Sequence, residues 1–490
     1  MVVGAWQIAL LFLLPLTVAA IIPLFGRYAH YLGFAALIFQ FSLALSSMFE
    51  LADSRWMVAA GDWLAPYGIV LVLDSFSSLM QVMVSLLFLC CTWSYTEPKT
   101  PYYWTLILLL LGGVSLSLMS GDLFNLFVGF ELMLMSSYTL MCSEGDVNRR
   151  HRAGSYLAMN VMASFVYLIA IAVTYGITGQ LNFASLSLLL EGDVTVIGMA
   201  PAATILIVLM IKSAIFPLYF WLPDSYPTLP SPIGGLFAGV LSKVGLYVLF
   251  RLFMSVFSEN PFFSQLLIIL GCLTMFFGVM GAVSQKSFRG ILSYHTTSQV
   301  GYIVLALALG SEMAIAAGVF FLAHNMVVKC GLFLIGDIAE KKCCAYKLEN
   351  FGALWTVAPF LGLLFLAQAL SLAGLPPFSG FWAKYLLFFE GIRLEAYLAI
   401  GIALLTSFFT LYSMIKIWNS AFIGDQIEKY ESVPKRQYIG SIVLTVVALG
   451  IGLYPEPLIQ KCQRAASSLI ARGEYQQQVF EIGIKGSRGE

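Results

Sequence analysis

Apolar runs of membrane-spanning length follow one another almost from end to end of the chain, separated by short polar loops. A transmembrane helix needs about 20 mainly apolar residues. Fourteen ranges read as such spans: 6–25, 31–49, 73–94, 103–120, 124–143, 154–176, 197–221, 231–254, 262–283, 289–309, 313–336, 354–388, 394–418 and 437–454. The segment 50–72 departs from the pattern; its GDWLAPYGIVLVLD stretch has strand character and is expected to form a hairpin at the surface. Two spans are interrupted. The seventh breaks at Pro217 and runs into WLPDSYPTLPSP, and the twelfth contains SLAGLPPFSGF. Five spans apart, they run in opposite directions. Proline and glycine breaks in corresponding spans of two halves are the mark of an inverted repeat with broken helices. Such breaks are tolerated at membrane depth only inside protein or beside water.

Composition fixes the class. Of 490 residues, 60% are hydrophobic and only 11% charged, against about a quarter charged in ordinary soluble domains. The chain therefore reads as an all-α polytopic membrane protein. Its net charge is zero, so nothing points to a nucleic-acid partner. The first run, from Trp6 to Phe25, reads as a retained membrane helix rather than a cleaved signal. Eight cysteines are present without a CxxC or Cys/His ligand spacing, and no structural disulfide or metal site is expected.

Basic residues set the orientation. Loops after odd-numbered spans hold Arg27, Lys99, Arg149, Arg150, Arg152, Lys286, Arg289, Lys341, Lys342, Lys347, Lys416, Lys429, Lys435 and Arg436. Loops after even-numbered spans, the tail aside, hold Arg55, Arg251 and Arg393. Both termini are therefore expected to face away from the cytoplasm.

Against this apolar background five charges stand inside spans: Glu131, Lys212, Lys243, Lys329 and Lys384. Each costs roughly 2.5–3.5 kcal/mol to insert at a helix centre, so their presence points to ion or proton movement. Glu131 lies near mid-membrane. It is either a titratable group paired with a lysine from another helix, or a carboxylic acid hydrogen-bonded to Ser136 or Ser137. A lysine held away from water releases its proton more readily, which suits Lys212 and Lys243 to a relay; the other reading is a fixed salt bridge that locks helices. Lys329 and Lys384 lie closer to span ends, where a long side chain can also snorkel to the interface. His295 and His324 fall inside spans ten and eleven, as relay members or as satisfied core residues. Ser293 and Ser298 make span ten polar at its start, suited to hydrogen bonds across helices or to holding water. Asp224 follows the break in span seven and either orients the loop or pairs with a basic neighbour. No nucleotide fingerprint, Walker loop or haem or iron–sulfur cysteine pattern occurs, so no cofactor is expected.

The stretches GDLFNLFVGFELMLMSSY, IKSAIFPLYFWLPDSYPTLPSPIGGLFAGVLSKVGLY, HNMVVKCGLFLIGD and SLAGLPPFSGFWAKYLL resemble the proton-translocating antiporter-like family. That family includes the large membrane subunits of respiratory complex I and of Mrp-type multisubunit sodium/proton antiporters. The resemblance spans nearly the whole chain, and YFWLPDSY, the total length and the HNMVVK spacing favour the D-subunit branch of the Mrp group. It implies fourteen helices with inverted five-helix units formed by spans 4–8 and 9–13. The corresponding regions are 1–102, 103–254, 255–418 and 419–490. It also implies a proton row: Glu131 as the carboxylate of span five with Lys212 its partner, then Lys243, with His324 and Lys329 bridging to the second unit and Lys384 beside the broken twelfth helix. In one complex I subunit of this type the last position is a glutamate, and Lys384 argues against that assignment. The implied partners are other subunits of a hetero-oligomeric antiporter in a bacterial plasma membrane, together with protons, sodium and the lipid bilayer. The alternatives are a proton-pumping subunit of complex I or of a membrane-bound hydrogenase, and a scaffold whose buried charges only lock helices. The tail, with an amphipathic stretch from Pro457 to Ala471, is expected at the outer interface or against a neighbouring subunit.

Overall fold

The computed structural model describes residues 4–51, 54–63, 65–96, 100–143, 147–190, 196–257, 261–425 and 430–487. Lys99 and Lys429, two of the orienting basic residues, lie outside them.

Helix follows helix, as an apolar solvent demands: with no water to satisfy a backbone amide, the chain must bond to itself. In chain order the helices are α1 (Ala5–Ile21), α2 (Ala29–Glu50), α3 (Ser75–Ser94), α4 (Pro101–Met119), α5 (Leu123–Cys142), α6 (Val147–Thr178), α7 (Phe183–Leu189), α8 (Val196–Ser213), α9 (Trp221–Ser225), α10 (Ser231–Ser255), α11 (Pro261–Ser284), α12 (Phe288–Leu309), α13 (Glu312–Cys343), α14 (Leu354–Val357), α15 (Pro359–Ala373), α16 (Ser379–Arg393), α17 (Tyr397–Ile417), α18 (Arg436–Leu453), α19 (Glu456–Ile470) and α20 (Arg472–Ser487). Helix occupies every apolar range named above. Among the described residues ten segments are long and apolar enough to cross a membrane, the first of them, Ala5–Glu50, containing both α1 and α2. Polar α12 and the two halves of the broken α15–α16 pair are not among the ten.

The segment after α2 is a hairpin. Strands β1 (Trp56–Ala59) and β2 (Val70–Leu73) pair antiparallel with Trp56 opposite Leu73. All of β2 is buried, and Leu71 bridges to Ser120 at the end of α4, so the hairpin's second strand is wedged into the helix ends while its loop, at Trp63 and Tyr67, stays at the surface.

Both broken spans are visible. After α8 the chain turns at Ala214, with φ of 58°, and passes a cis Phe216–Pro217 bond before α9. After α15 it turns at Gly374, with φ of 88°, and passes a cis Pro376–Pro377 bond before α16. A second recurrence is as regular. Asp122, the N-cap of α5, bridges Asn182, the N-cap of α7; Ser287, the N-cap of α12, bridges Lys347 at the same sequence separation.

Helices α10 and α13 are buried throughout their apolar windows and pack on each other, α10 also on α8 and α3, α13 also on α12, α15, α16 and α18. They form the seam between the halves. Amphipathic α19 packs on α13 and α3 through Cys462, Ala465, Ala466 and Leu469. One face of this amphipathic stretch therefore packs on its own chain.

Two arginines assigned to loops from the sequence are interior. Arg251 of α10 is buried and donates to Asp74, the N-cap of α3, at 2.5 and 2.9 Å and to Tyr247 Oη at 2.7 Å. Arg289 of α12 pairs with buried Glu340 of α13. Removing one member of a buried pair leaves an uncompensated charge and costs about 3–5 kcal/mol. Asp74→Ala or Arg251→Met alone should therefore sharply lower the melting temperature of the detergent-purified protein. The joint replacement Asp74→Leu with Arg251→Met should recover most of the loss. Single variants that melt like wild type would show that the pair does not hold α3 to α10.

Candidate functional site

Glu131 sits in the middle of α5 and is half-buried. Its Oε1 accepts a hydrogen bond from Ser164 Oγ of α6. The serines proposed from the sequence do other work: Ser136 Oγ donates to Leu132 O at 2.7 Å, and Ser137 Oγ meets Tyr156 Oη at 2.6 Å. Lys212 lies on the last turn of α8, immediately before the break, and is 4% exposed. Among the described residues its Nζ finds no hydrogen-bond partner, and it rests 5.5 Å from the centre of the Phe130 ring, a cation–π geometry. Glu131 lies within electrostatic reach of Lys212. Whether the two are paired is a question the sequence leaves open; among the described residues no salt bridge joins them.

At the seam Lys243 of α10 is fully buried, and its Nζ donates to Ala238 O at 2.7 Å and Ser242 Oγ at 3.4 Å, both on its own helix. Lys329 of α13 is also fully buried and donates to Leu292 O of α12 at 3.2 Å. It does not snorkel. The Lys243 charge is within electrostatic reach of Lys329, so the seam places two ammonium groups near each other without an acid between them.

In the second half His324 of α13 meets Ser379 Oγ at 2.9 Å through Nδ1, and Ser379 meets Ser371 Oγ at 2.7 Å. Both serines flank the break between α15 and α16. Lys384 of α16, 3% exposed, folds back onto that break: Nζ donates to Ala373 O at 2.7 Å, Leu372 O at 3.2 Å and Ser407 Oγ at 2.8 Å. The last carbonyls of a helix lack intrahelical partners and carry the negative end of its dipole, so the broken α15 is itself the acceptor for the ammonium. Gly374 makes room, because a Cβ there would stand 2.5 Å from Lys384 Cδ. His295 of α12 meets Ser413 Oγ of α17, and both Lys329 and Lys384 are within electrostatic reach of His295 and of His324. Each histidine is thus within reach of both lysines.

The remaining residues singled out from the sequence play lesser parts. Ser293 Oγ donates to Arg289 O of its own helix, Ser298 Oγ to Met275 O of α11. Asp224 pairs with Arg152 at 2.7 Å, both half-exposed, far from the buried row in character.

A family model described as NADH:quinone oxidoreductase/Mrp antiporter, TM matches residues 120–410, more than half of the chain and all of the row from Glu131 to Lys384. The chain belongs to this family. It is 36% identical over 490 residues to the D-type subunit of the Na(+)/H(+) antiporter of Alkalihalophilus pseudofirmus, covering 96% of this chain and 98% of that one. It superposes with a TM-score of 0.92 on a chain of the Mrp complex from Dietzia sp. DQ12-45-1b, at 29% identity and 97% and 100% coverage. A chain of the membrane-bound sulfane sulfur reductase, an archaeal respiratory membrane complex, gives a TM-score of 0.91 at 26% identity, with 96% and 99% coverage.

Within this antiporter-family fold, sequence reasoning missed other buried polar groups near these residues. Ser164 stands alone in VMASFVYL, with no pattern to mark it. Gln299 and Asn325 have buried polar atoms without a protein partner among the described residues, as does Thr297, which the sequence does mark as part of the polar start of span ten; Asn325 lies inside the quoted HNMVVK, four residues before Lys329. Lys243 gives the sharpest test of whether these charges are structural. Its hydrogen-bond partners are on its own helix, so the uncharged Lys243→Met, similar in volume, removes a desolvated charge without stranding an acid. The expected result is a melting temperature equal to wild type or higher. A loss of more than about 2 kcal/mol would instead mean that Lys243 locks helices.

Proposed function

We propose that this chain is the proton-translocating subunit of a multisubunit Na+/H+ antiporter. The observation that carries the reading is a row of four buried lysines that have no carboxylate paired to any of them among the described residues. A locking charge is paired; a charge that must be gained and lost is not. Protons pass along Glu131, Lys212, Lys243, Lys329 and Lys384, with His324 at the bend into the second half and His295 beside it. Buried polar groups need partners, and Thr297, Gln299 and Asn325 offer surplus donors and acceptors along α12 and α13, where internal water supplies the links between side chains.

The working unit divides as 1–102, 103–254 (the first inverted unit), 255–418 (the second) and 419–490, and the fourteen helical ranges are its spans. The basic-residue bias puts both termini outside a bacterial plasma membrane. Partners are the other subunits of the complex, consistent with the Mrp complex as structural neighbour. Sodium suits carboxylate and carbonyl oxygens better than ammonium groups, so its path belongs mainly to those partners. The chain is a transporter subunit rather than an enzyme. The likeness to the sulfane sulfur reductase chain favours one second reading, a proton-pumping subunit of a redox-driven complex.

Cation-dependent collapse of ΔpH in everted vesicles separates these. With the whole operon expressed, wild type should show sodium-driven exchange. Lys212→Ala and Glu131→Ala should abolish it while native gels show intact complexes. Intact variants with unchanged exchange would remove the relay assignment. A wild type that ignores sodium would favour the redox-driven reading.

A further inference from the structure

The loops that follow α2, α4 and α6 meet on one face, the outer one by the charge bias. There they enclose a cavity of about 220 Å³, lined by Tyr67 and Gly68 of the hairpin, Asp122, Phe124, Leu181 and Asn182. It lies apart from the row described above. Tyr67 is 87% exposed, which leaves the cavity open at the surface.

Asp122 forms its floor. The residue is 6% exposed; Oδ1 accepts the Asn125 amide at 2.7 Å as a helix cap, while Oδ2 is buried without a partner among the described residues. Asn182, 2% exposed, accepts the Ala184 and Ser185 amides through Oδ1, and its Nδ2 is likewise without a partner. Capping does not require the acid. At the corresponding place in the other half Ser287 caps α12 by accepting the Gly290 amide at 3.2 Å. The fold uses a hydroxyl there, so the second carboxylate oxygen of Asp122 is surplus to structure.

The carboxylate is also connected. Tyr167 of α6 lies within its electrostatic reach and donates through Oη to Leu123 O, the next residue, at 3.1 Å. One turn back along α6, Ser164 holds Glu131. Asp122 and Glu131 are separated by about 13 Å of α5 at 1.5 Å per residue, and Tyr167 and Ser164 stand along that interval.

We infer that Asp122 is the outer proton-loading group of the first half, exchanging protons with water in this cavity and passing them by Tyr167 and Ser164 to Glu131. The inference rests on the antiporter reading for its destination. A proton enters from outer water onto Oδ2, leaves by water past the Tyr167 hydroxyl, and neutralises the Glu131 carboxylate. The titratable groups facing Asp122 are Tyr67 on the hairpin loop and Tyr167 on α6, and no described residue forms a salt bridge with it. Burial raises its pKa, against the Asn125 and Phe124 amides, to about 6, so it changes charge in a range the outer medium reaches.

Two measurements on the assembled complex test this. A water-soluble carbodiimide added from the outer face should modify Asp122, detected by mass spectrometry, with labelling that rises as outer pH falls through about 6. This readout needs no transport, so it judges the site even if wild type fails to exchange sodium. Absent or pH-independent labelling overturns the inference. In exchange-competent vesicles, Asp122→Asn and Asp122→Ser both keep a capping side chain. Each should slow exchange on the order of 100-fold, the lower end of what one positioned proton-transfer group contributes, and remove the dependence on outer pH near 6. Assembled variants with wild-type rate and pH profile would overturn it, leaving Asp122 a cap alone.

Discussion

An ammonium group inside a membrane protein must find acceptors, and here the acceptors are backbone carbonyls rather than carboxylates. In an unbroken helix those carbonyls are already committed. A break frees them at depth, where the low dielectric makes an unsatisfied group costly. Lys384 on Leu372 O and Ala373 O therefore solves two problems at once: the end of α15 needs donors and the lysine needs oxygens. Lys243 on Ala238 O and Lys329 on Leu292 O also rest on carbonyls, but of unbroken helices, where the second lone pair of an oxygen already bonded in the helix is the acceptor. Neutral acceptors hold a lysine in place without fixing its charge, which a carboxylate would do.

The rest of the architecture supplies dry, rigid surroundings for that arrangement. The two helices that meet at the seam, α10 and α13, are the ones buried throughout their apolar windows, and they carry Lys243, His324 and Lys329. True ion pairs are kept to the helix ends, Asp74 with Arg251 and Arg289 with Glu340, where they tie helices together. Charge that fixes structure and charge that stays unpaired thus occupy different depths of the same bundle.

Much of this was legible in the sequence. Span length, the two proline breaks and the five buried charges follow from hydropathy and from the rarity of ions in apolar runs. The hairpin at 50–72 showed in its strand-forming residues, although its burial did not. What the sequence withheld were contacts between distant segments. Arg251 in LFRLF looks like a span-end arginine until Asp74 is brought against it, and Ser164 carries no local signal that it faces Glu131. Whether Glu131 meets Lys212 could not be read from opposite charges on two spans; the described structure gives Glu131 a serine of α6 and no salt bridge to Lys212. Pattern identifies which side chains are costly to bury, while partner choice depends on helix rotation, which periodicity alone leaves free.

A row that is cationic at four positions and acidic at one end behaves differently from a chain of ion pairs. Two like unit charges about 8 Å apart at an effective dielectric near 20 repel by about 2 kcal/mol. That bias exceeds tenfold in proton occupancy. In the proposed relay, Lys243 and Lys329, within electrostatic reach of each other, would let charge at one site bias the next without any large movement of the backbone. Glu131 breaks the series, as the one carboxylate of the proposed relay and within electrostatic reach of Lys212.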